Sequence, residues 1–358
     1  MARIYNFSAG PAVLPVEALE AARDEMLDYN GSGMSVMEMS HRGKVYAAIH
    51  EEAKQNIRDL MGLTDDYEVI FVQGGASLQF AMIPMNFLGE GKVADYVDSG
   101  NWGAQAIKQA RLIGQVNIVA DCNKDIPTRM PREGECNWTP GAAYAHITSN
   151  ETISGAQWKT LPKTEAPLVA DMSSDILSRP FDIKDFAMVY AGAQKNLGPA
   201  GMALVVIRKD FAETGSKALP TMLKYSTFVE KDSLYNTPPC FSIYMLMLTT
   251  RWLLKFGLEN MWRQNVEKAA KLYKAIDASE FYRGTALPEF RSDMNVTFRL
   301  PTEELEAQFC AEATKAGLSG LKGHRSVGGI RASIYNAFPV AGVDRLVDFM
   351  AEFEKRFG

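Results

Sequence analysis

Short apolar runs rich in β-branched residues recur at 68–73, 92–97, 116–120, 143–148, 168–170, 188–191 and 202–207. Between them lie stretches such as 47–61 and 103–113, in which apolar residues return at helical spacing. Strands that are apolar on both faces and alternate with helices have few ways to bury themselves. The pattern predicts an α/β fold with a mainly parallel sheet flanked by helices on both faces. Ligands of such sheets bind outside the carboxyl ends of the strands, so the residues just after each strand are where function should be sought.

The periodicity changes after residue 258, where helical patterns at 261–278, 302–316 and 343–356 are separated by only two strand-like runs, 295–300 and 329–334. A chain of 358 residues exceeds the roughly 250–300 at which single cores stop growing. The expected division is a large α/β domain over 16–258 and a smaller α+β C-terminal domain over 259–358. The turn-rich segment 1–15 should cross between the two.

Charge and cysteine usage narrow the classes further. With 38 Lys+Arg against 43 Asp+Glu the net charge is -5, and no basic footprint for nucleic acid exists. Any anionic ligand must be met by locally gathered cations. Cys122, Cys136, Cys240 and Cys310 are scattered, with no C-x-x-C pair and no histidine at ligand spacing, so neither a disulfide frame nor a metal site is expected. No apolar window has the length of a signal peptide or a membrane span, and a cytoplasmic protein without membrane contact is the simplest expectation.

Five strand ends carry chemistry-bearing residues. After the first, Gly74-Gly75-Ala76-Ser77 opens a helix, and free N–H groups at a helix start suit a phosphate. By itself a Gly-Gly turn connects strands to helices just as often. After the second comes Asp98-Ser99-Gly100-Asn101-Trp102-Gly103, where Trp102 can lie against an aromatic ligand or plug the core. Thr152 follows the strand ending at Thr148 and can cap a helix as readily as touch a ligand. Asp171 ends the buried run Leu168-Val169-Ala170, and a carboxylate there is costly without a cationic partner. Lys195 follows Val189-Tyr190-Ala191 within the stretch Ala-Gly-Ala-Gln-Lys-Asn-Leu-Gly-Pro-Ala-Gly, residues 191–201. Most lysines are surface residues with solvated heads. Small, nearly charge-free neighbours on both sides favour a desolvated amine of lowered pKa that can form a Schiff base.

A phosphate cup, a stacking aromatic, an acid and a lysine, in that order, are the parts an electron-sink cofactor requires. At this point the sequence resembles the phosphoserine aminotransferases, fold-type I, class V pyridoxal-phosphate enzymes. The likeness runs from Phe7-Ser8-Ala9-Gly10-Pro11 through Met39-Ser40-His41-Arg42, Ala170-Asp171-Met172-Ser173-Ser174, the lysine stretch and Gly323-His324-Arg325 to Gly328-Gly329-Ile330-Arg331-Ala332-Ser333. It implies pyridoxal 5'-phosphate as cofactor, with Lys195 as both its imine partner and the acid/base of the proton shift. Asp171 would bind the pyridine nitrogen, Trp102 stack on the ring, and Thr152 bond the side of the ring hydroxyl. Ala76 and Ser77 would donate to the phosphate, with Gln194 beside the lysine. Some members carry arginine where this chain has Ser77. The pair Asn236-Thr237 would reach the phosphate of a neighbouring subunit, which implies a homodimer.

Two of the four histidines stand in His-Arg pairs, His41-Arg42 and His324-Arg325, and guanidinium groups suit carboxylate and phosphate alike. The resemblance places the substrate α-carboxylate on Arg331 and the distal anion, a phosphate or a side-chain carboxylate, on His41, Arg42, His324 and Arg325. His50 and His146 lack such company and read as structural. The implied reaction is transamination between glutamate and 3-phosphohydroxypyruvate, giving 2-oxoglutarate and O-phosphoserine in serine biosynthesis. A role in vitamin B6 synthesis, through 4-phosphohydroxy-threonine, comes with the same resemblance. Serine-glyoxylate transamination is the alternative within the class, disfavoured by the paired cations; a desulfurase would need a cysteine motif that is lacking. A cofactor-phosphate-binding protein without turnover is disfavoured by the presence of both Lys195 and Asp171.

Overall fold

The computed structural model describes residues 3–358. Seven strands form its central sheet: β1 (Tyr67–Gln73), β2 (Val93–Asp98), β3 (Gln115–Asp121), β4 (Ala145–Thr148), β5 (Leu168–Asp171), β6 (Met188–Gly192) and β7 (Met202–Arg208). Their spatial order is β1-β7-β6-β5-β4-β2-β3. Every neighbouring pair from β6 to β3 is parallel, and β7 runs antiparallel between β1 and β6. All seven expected runs are strands. The antiparallel β7 could not be read from its sequence, because a strand buried on both faces looks the same in either direction.

Strand alternation divides the cover cleanly. Val69 and Phe71 of β1 and Leu204 and Val206 of β7 face a core shared with helices α1 (Lys44–Met61) and α4 (Cys240–Phe256). Ile70, Val72, Val205 and Ile207 face the other way, onto α2 (Gly75–Phe87) and α3 (Asn101–Ala110). Each face therefore removes apolar surface from water at about 25 cal/mol per Å². Because β1, β2, β4, β5 and β6 point the same way, the loops that follow them gather at one edge, which also receives the start of β7.

Helix α5 (Leu258–Asp277) leads into a three-stranded antiparallel sheet of β8 (Arg283–Gly284), β9 (Asn295–Arg299) and β10 (Ile330–Ser333), packed by α6 (Glu303–Lys315) and α7 (Val340–Phe357). Leu272, Phe298, Phe309, Val343, Leu346 and Phe353 make a separate core there. The N-terminal segment joins it: Tyr5–Asn6 pairs parallel with Leu318–Ser319, and the Phe7 ring sits 4.4 Å from that of Phe338. Farther along, the N–H of Ala12 donates to the carbonyl of Gln194 over 2.9 Å, so the segment also touches the loop after β6. Among the described residues no helix is long and apolar enough to cross a membrane.

Candidate active site

A cavity of about 330 Å³ opens at the carboxyl edge of the sheet, lined from the loops after β1, β2, β4, β5 and β6. After β1 the backbone turns through left-handed Gly74 (φ +85°) into α2, and a Cβ at Gly74 would stand 2.8 Å from the Leu78 side chain. Helix α2 has no side-chain cap and no acidic residue in its first turn. Its first N–H groups, near the lining residues Ala76 and Ser77, are therefore available to an anion.

Lys195 stands in the turn after β6 and is only 6% exposed. Its Nζ donates to Thr152 Oγ1 over 2.7 Å and lies 5.7 Å from the centre of the Trp102 ring. Burial brings its pKa down to about 8; the Asp171 carboxylate opposes that shift, and the Arg331 guanidinium adds to it. Asp171, at the end of β5, is 4% exposed. One oxygen, Oδ1, accepts both the Ser173 N–H at 2.9 Å and the Ser173 hydroxyl at 2.6 Å. Burial raises the Asp171 pKa, while these bonds and Lys195 hold it down. The Ser173 hydroxyl also accepts the Gly192 N–H over 3.0 Å, which ties the acid's loop to the lysine's strand.

Thr152, Trp102, Asp171, Gln194 and Lys195 thus line one cavity together with Ala76 and Ser77. Arg331, on β10, comes from the C-terminal sheet, and its Nη1 donates to the Thr152 carbonyl over 3.3 Å. Arg331 also lines a second cavity of about 370 Å³, with Ser154, Thr297 and Val327. His324 Nδ1 lies 2.7 Å from Ser326 Oγ, and burial followed by the charges of Arg331 and Arg325 lowers its pKa. Arg325 and Arg42 are exposed, whereas the His41 Nε2 is buried with no hydrogen-bond partner. Asn236 and Thr237 are exposed and are not among the residues lining the cavity of their own chain. His146 is bonded to the Tyr190 hydroxyl at 2.8 Å beneath the sheet, and His50 faces Asp232 at 3.5 Å.

Sequence reasoning passed over Thr148, Asn150, Ser173 and Ser174, which also line the cavity. The signal is there in part: Ser149-Asn150-Glu151 is a polar run directly after a buried strand, just ahead of Thr152. Thr148 Oγ1 and Asn150 Oδ1 are buried without partners, as is the Trp102 indole N–H. Orphaned polar groups of this kind lining a cavity indicate a site built for a polar guest.

The site fits pyridoxal phosphate. It offers an uncapped helix start for a phosphate, a buried acid for a ring nitrogen, an indole for a ring face, and a desolvated amine for an aldehyde. On an open α/β sheet those parts define a pyridoxal-phosphate-dependent transferase. The family model described as aminotransferase class V matches residues 4–346. A phosphoserine aminotransferase of Geobacillus kaustophilus is 53% identical over 359 residues, covering 100% of both chains. The solved phosphoserine aminotransferase from Bacillus circulans subsp. alkalophilus superposes with a TM-score of 0.96 at 52% identity, over 99% of each chain. The pyridoxal-phosphate-bound phosphoserine aminotransferase of Trichomonas vaginalis gives 0.94 at 41% identity, over 98% of this chain and 100% of the other. The chain belongs to the class V aminotransferases, and within them to the phosphoserine aminotransferase group; its cofactor is pyridoxal 5'-phosphate.

Proposed function

We propose that the chain transfers the amino group of glutamate to 3-phosphohydroxypyruvate, releasing 2-oxoglutarate and O-phosphoserine, as a step of serine biosynthesis. The observation that carries this is Lys195, buried and depressed to a pKa of about 8 in a cavity that also holds Asp171 and Trp102. Full-length identity of 53% to a phosphoserine aminotransferase supports that substrate over glyoxylate. When bound, pyridoxal phosphate supplies an aldehyde for the amino group and a ring that draws electrons from the α-carbon.

This chain's residues do the rest. Asp171, with Oδ1 engaged by Ser173, keeps its other oxygen for the ring nitrogen and holds a proton there. Trp102 covers one ring face, and Thr152 bonds the ring hydroxyl side. The N–H groups of Ala76 and Ser77, together with the Ser77 hydroxyl, hold the phosphate beside Gln194. Lys195 Nζ removes the α-proton of the amino donor and later returns one to the acceptor, the role of a general base and acid whose pKa lies near the working pH. Arg331 grips the substrate α-carboxylate. His41, Arg42, His324 and Arg325 meet the distal anion, phosphate in one half-reaction and carboxylate in the other.

Asn236 and Thr237, exposed in one chain, reach the cofactor phosphate of a second copy, so the working enzyme is a homodimer in the cytoplasm. The test is a coupled assay of 2-oxoglutarate formed from glutamate with 3-phosphohydroxypyruvate, pyruvate or oxaloacetate as acceptor. Strong preference for the phosphorylated acceptor is expected, and its loss in Lys195→Ala; equal rates on all three would overturn the phosphate-specific reading.

A further inference from the structure

Glu151 is fully buried, yet it does not line the cavity, although both its neighbours Asn150 and Thr152 do. It sits in a two-residue strand paired antiparallel with Ala156–Gln157, and alternation along that strand turns its side chain away from the cofactor space. What its carboxylate meets is the start of α3. Oε2 accepts the Trp102 N–H over 3.1 Å, and Oε1 accepts the Gly103 N–H over 3.0 Å and the Ser99 hydroxyl over 3.2 Å. Helix α3 has no side-chain cap of its own. A carboxyl group distant in sequence supplies the cap at the positive end of the helix dipole; burial pushes its pKa up to about 7, and the bonds from Gly103, Trp102 and Ser99 oppose that shift.

The surrounding sequence makes room for it. A Cβ on Gly100 would stand 2.6 Å from the Glu151 carboxyl carbon, and one on Gly103 would stand 2.9 Å from the Val97 carbonyl. Glycine at 100 lets the carboxylate reach the Trp102 and Gly103 N–H groups, and glycine at 103 lets the helix start lie against the Val97 carbonyl. The consequence is a rigid linkage: the residue before Thr152, which contacts Lys195, holds the backbone of the indole that faces Lys195.

We infer that Glu151 is a positioning residue for the cofactor: by capping the backbone at Trp102 and Gly103 it fixes the height and tilt of the indole against the pyridine ring, and so sets how long the cofactor is retained. This rests on the reading that Trp102 stacks on that ring. Glu151→Gln keeps the shape but offers one acceptor oxygen, so one of the two backbone donors loses its partner and meets an amide NH₂.

The experiment measures the rate at which bound pyridoxal phosphate leaves the holoenzyme, followed by loss of its visible absorbance in the presence of a trap for the free aldehyde. Glu151→Gln and Trp102→Ala are studied singly and together as a double-mutant cycle. Release is expected to quicken by about tenfold in Glu151→Gln, and the same change is expected to add less than about twofold once Trp102 is alanine. Unchanged release in Glu151→Gln, with faster release in Trp102→Ala, overturns this inference and leaves the stacking reading standing. Equal effects in both backgrounds also overturn it, because Glu151 would then act on the fold and not through the indole. Unchanged release in Trp102→Ala removes the stacking reading and this inference with it. Should Glu151→Gln fail to fold, Gly100→Ala carries the test, since its Cβ displaces the carboxylate without changing its charge; faster release is again the expected result and wild-type release the contrary one.

Discussion

The N–H of Asn336 donates to the Oδ1 of Asn196 over 3.1 Å, so the residue beside Lys195 is held by the chain that leaves the strand bearing Arg331. The amide cluster extends both ways. Asn196 Nδ2 reaches the Ile176 carbonyl at 3.0 Å, Asn336 Nδ2 the Leu177 carbonyl at 2.8 Å, and Asn265 Nδ2 both Asn336 Oδ1 and the Ser178 carbonyl. The lysine, the loop after Asp171 and the strand bearing Arg331 are thereby registered to one another through buried hydrogen bonds.

Asn196→Ala leaves the Asn336 N–H and the Ile176 carbonyl without their partners in a buried setting. Stranding buried polar groups costs about 1–3 kcal/mol each. The denaturant midpoint of the holoenzyme is expected to fall with little change in the slope of the transition. A midpoint equal to wild type would show that water or relaxation replaces both bonds.

The Lys195 amine must be neutral to attack an aldehyde. With a pKa of about 8, lowered by burial and by Arg331 and held up by Asp171 and Glu151, roughly a tenth is neutral at pH 7, against far less than a hundredth for an ordinary lysine. The rate at which cofactor-free enzyme captures pyridoxal phosphate should therefore climb about tenfold per unit below pH 8 and flatten above it. Stopped-flow absorbance across pH 6–10 reads this directly, and a rise that continues unchanged to pH 10 would contradict the depressed value.

The sheet, the lysine stretch and Asp171 were legible in the sequence because each is a local signal: periodicity, a charge-free surround, an acid at the end of an apolar run. Glu151 was not, because its role depends on a strand and a helix start that are nearly fifty positions apart in the chain and meet only in the fold. The amide cluster of Asn196, Asn265 and Asn336 was hidden for the same reason, since isolated asparagines between hydrophobic runs read as turn formers. The unlike fates of the histidines were partly visible. His324 lies within reach of the charges of Arg331 and Arg325, while His146, set among Tyr96, Tyr144 and Tyr190, belongs to the core.

His146 makes a separate prediction about acid stability. Burial lowers its pKa to about 3, from an ordinary value near 6.5. The unfolded chain therefore binds the proton that the folded one refuses, and stability is full above pH 6.5 and declines as the pH falls toward 3. Between pH 8 and pH 5 the loss from this residue amounts to roughly 2 kcal/mol. Urea midpoints compared at those two pH values should differ less in His146→Gln than in wild type; an equal difference would assign the acid sensitivity elsewhere.

On the proposed reading, Arg331 makes a substrate contact shared by both half-reactions. Its Nη1 is anchored on the Thr152 carbonyl and its pKa is lowered by burial, so the guanidinium is held in place with little solvent to screen it. An α-carboxylate occurs in both amino donor and oxo-acid acceptor, whereas a phosphate occurs in one. Arg331→Lys keeps the charge but loses the planar pair of donors, and kcat/KM should fall by roughly 10–100-fold for glutamate and for 3-phosphohydroxypyruvate alike. The absorbance of the bound cofactor should not move, since Arg331 is not among the residues that line the cavity around Lys195. Arg325→Ala, on the exposed 323–328 loop, should weaken the phosphorylated acceptor more than pyruvate. If Arg331→Lys instead penalised only one of the two substrates, the α-carboxylate would have to be bound elsewhere, and the arginine would belong with the distal-anion group.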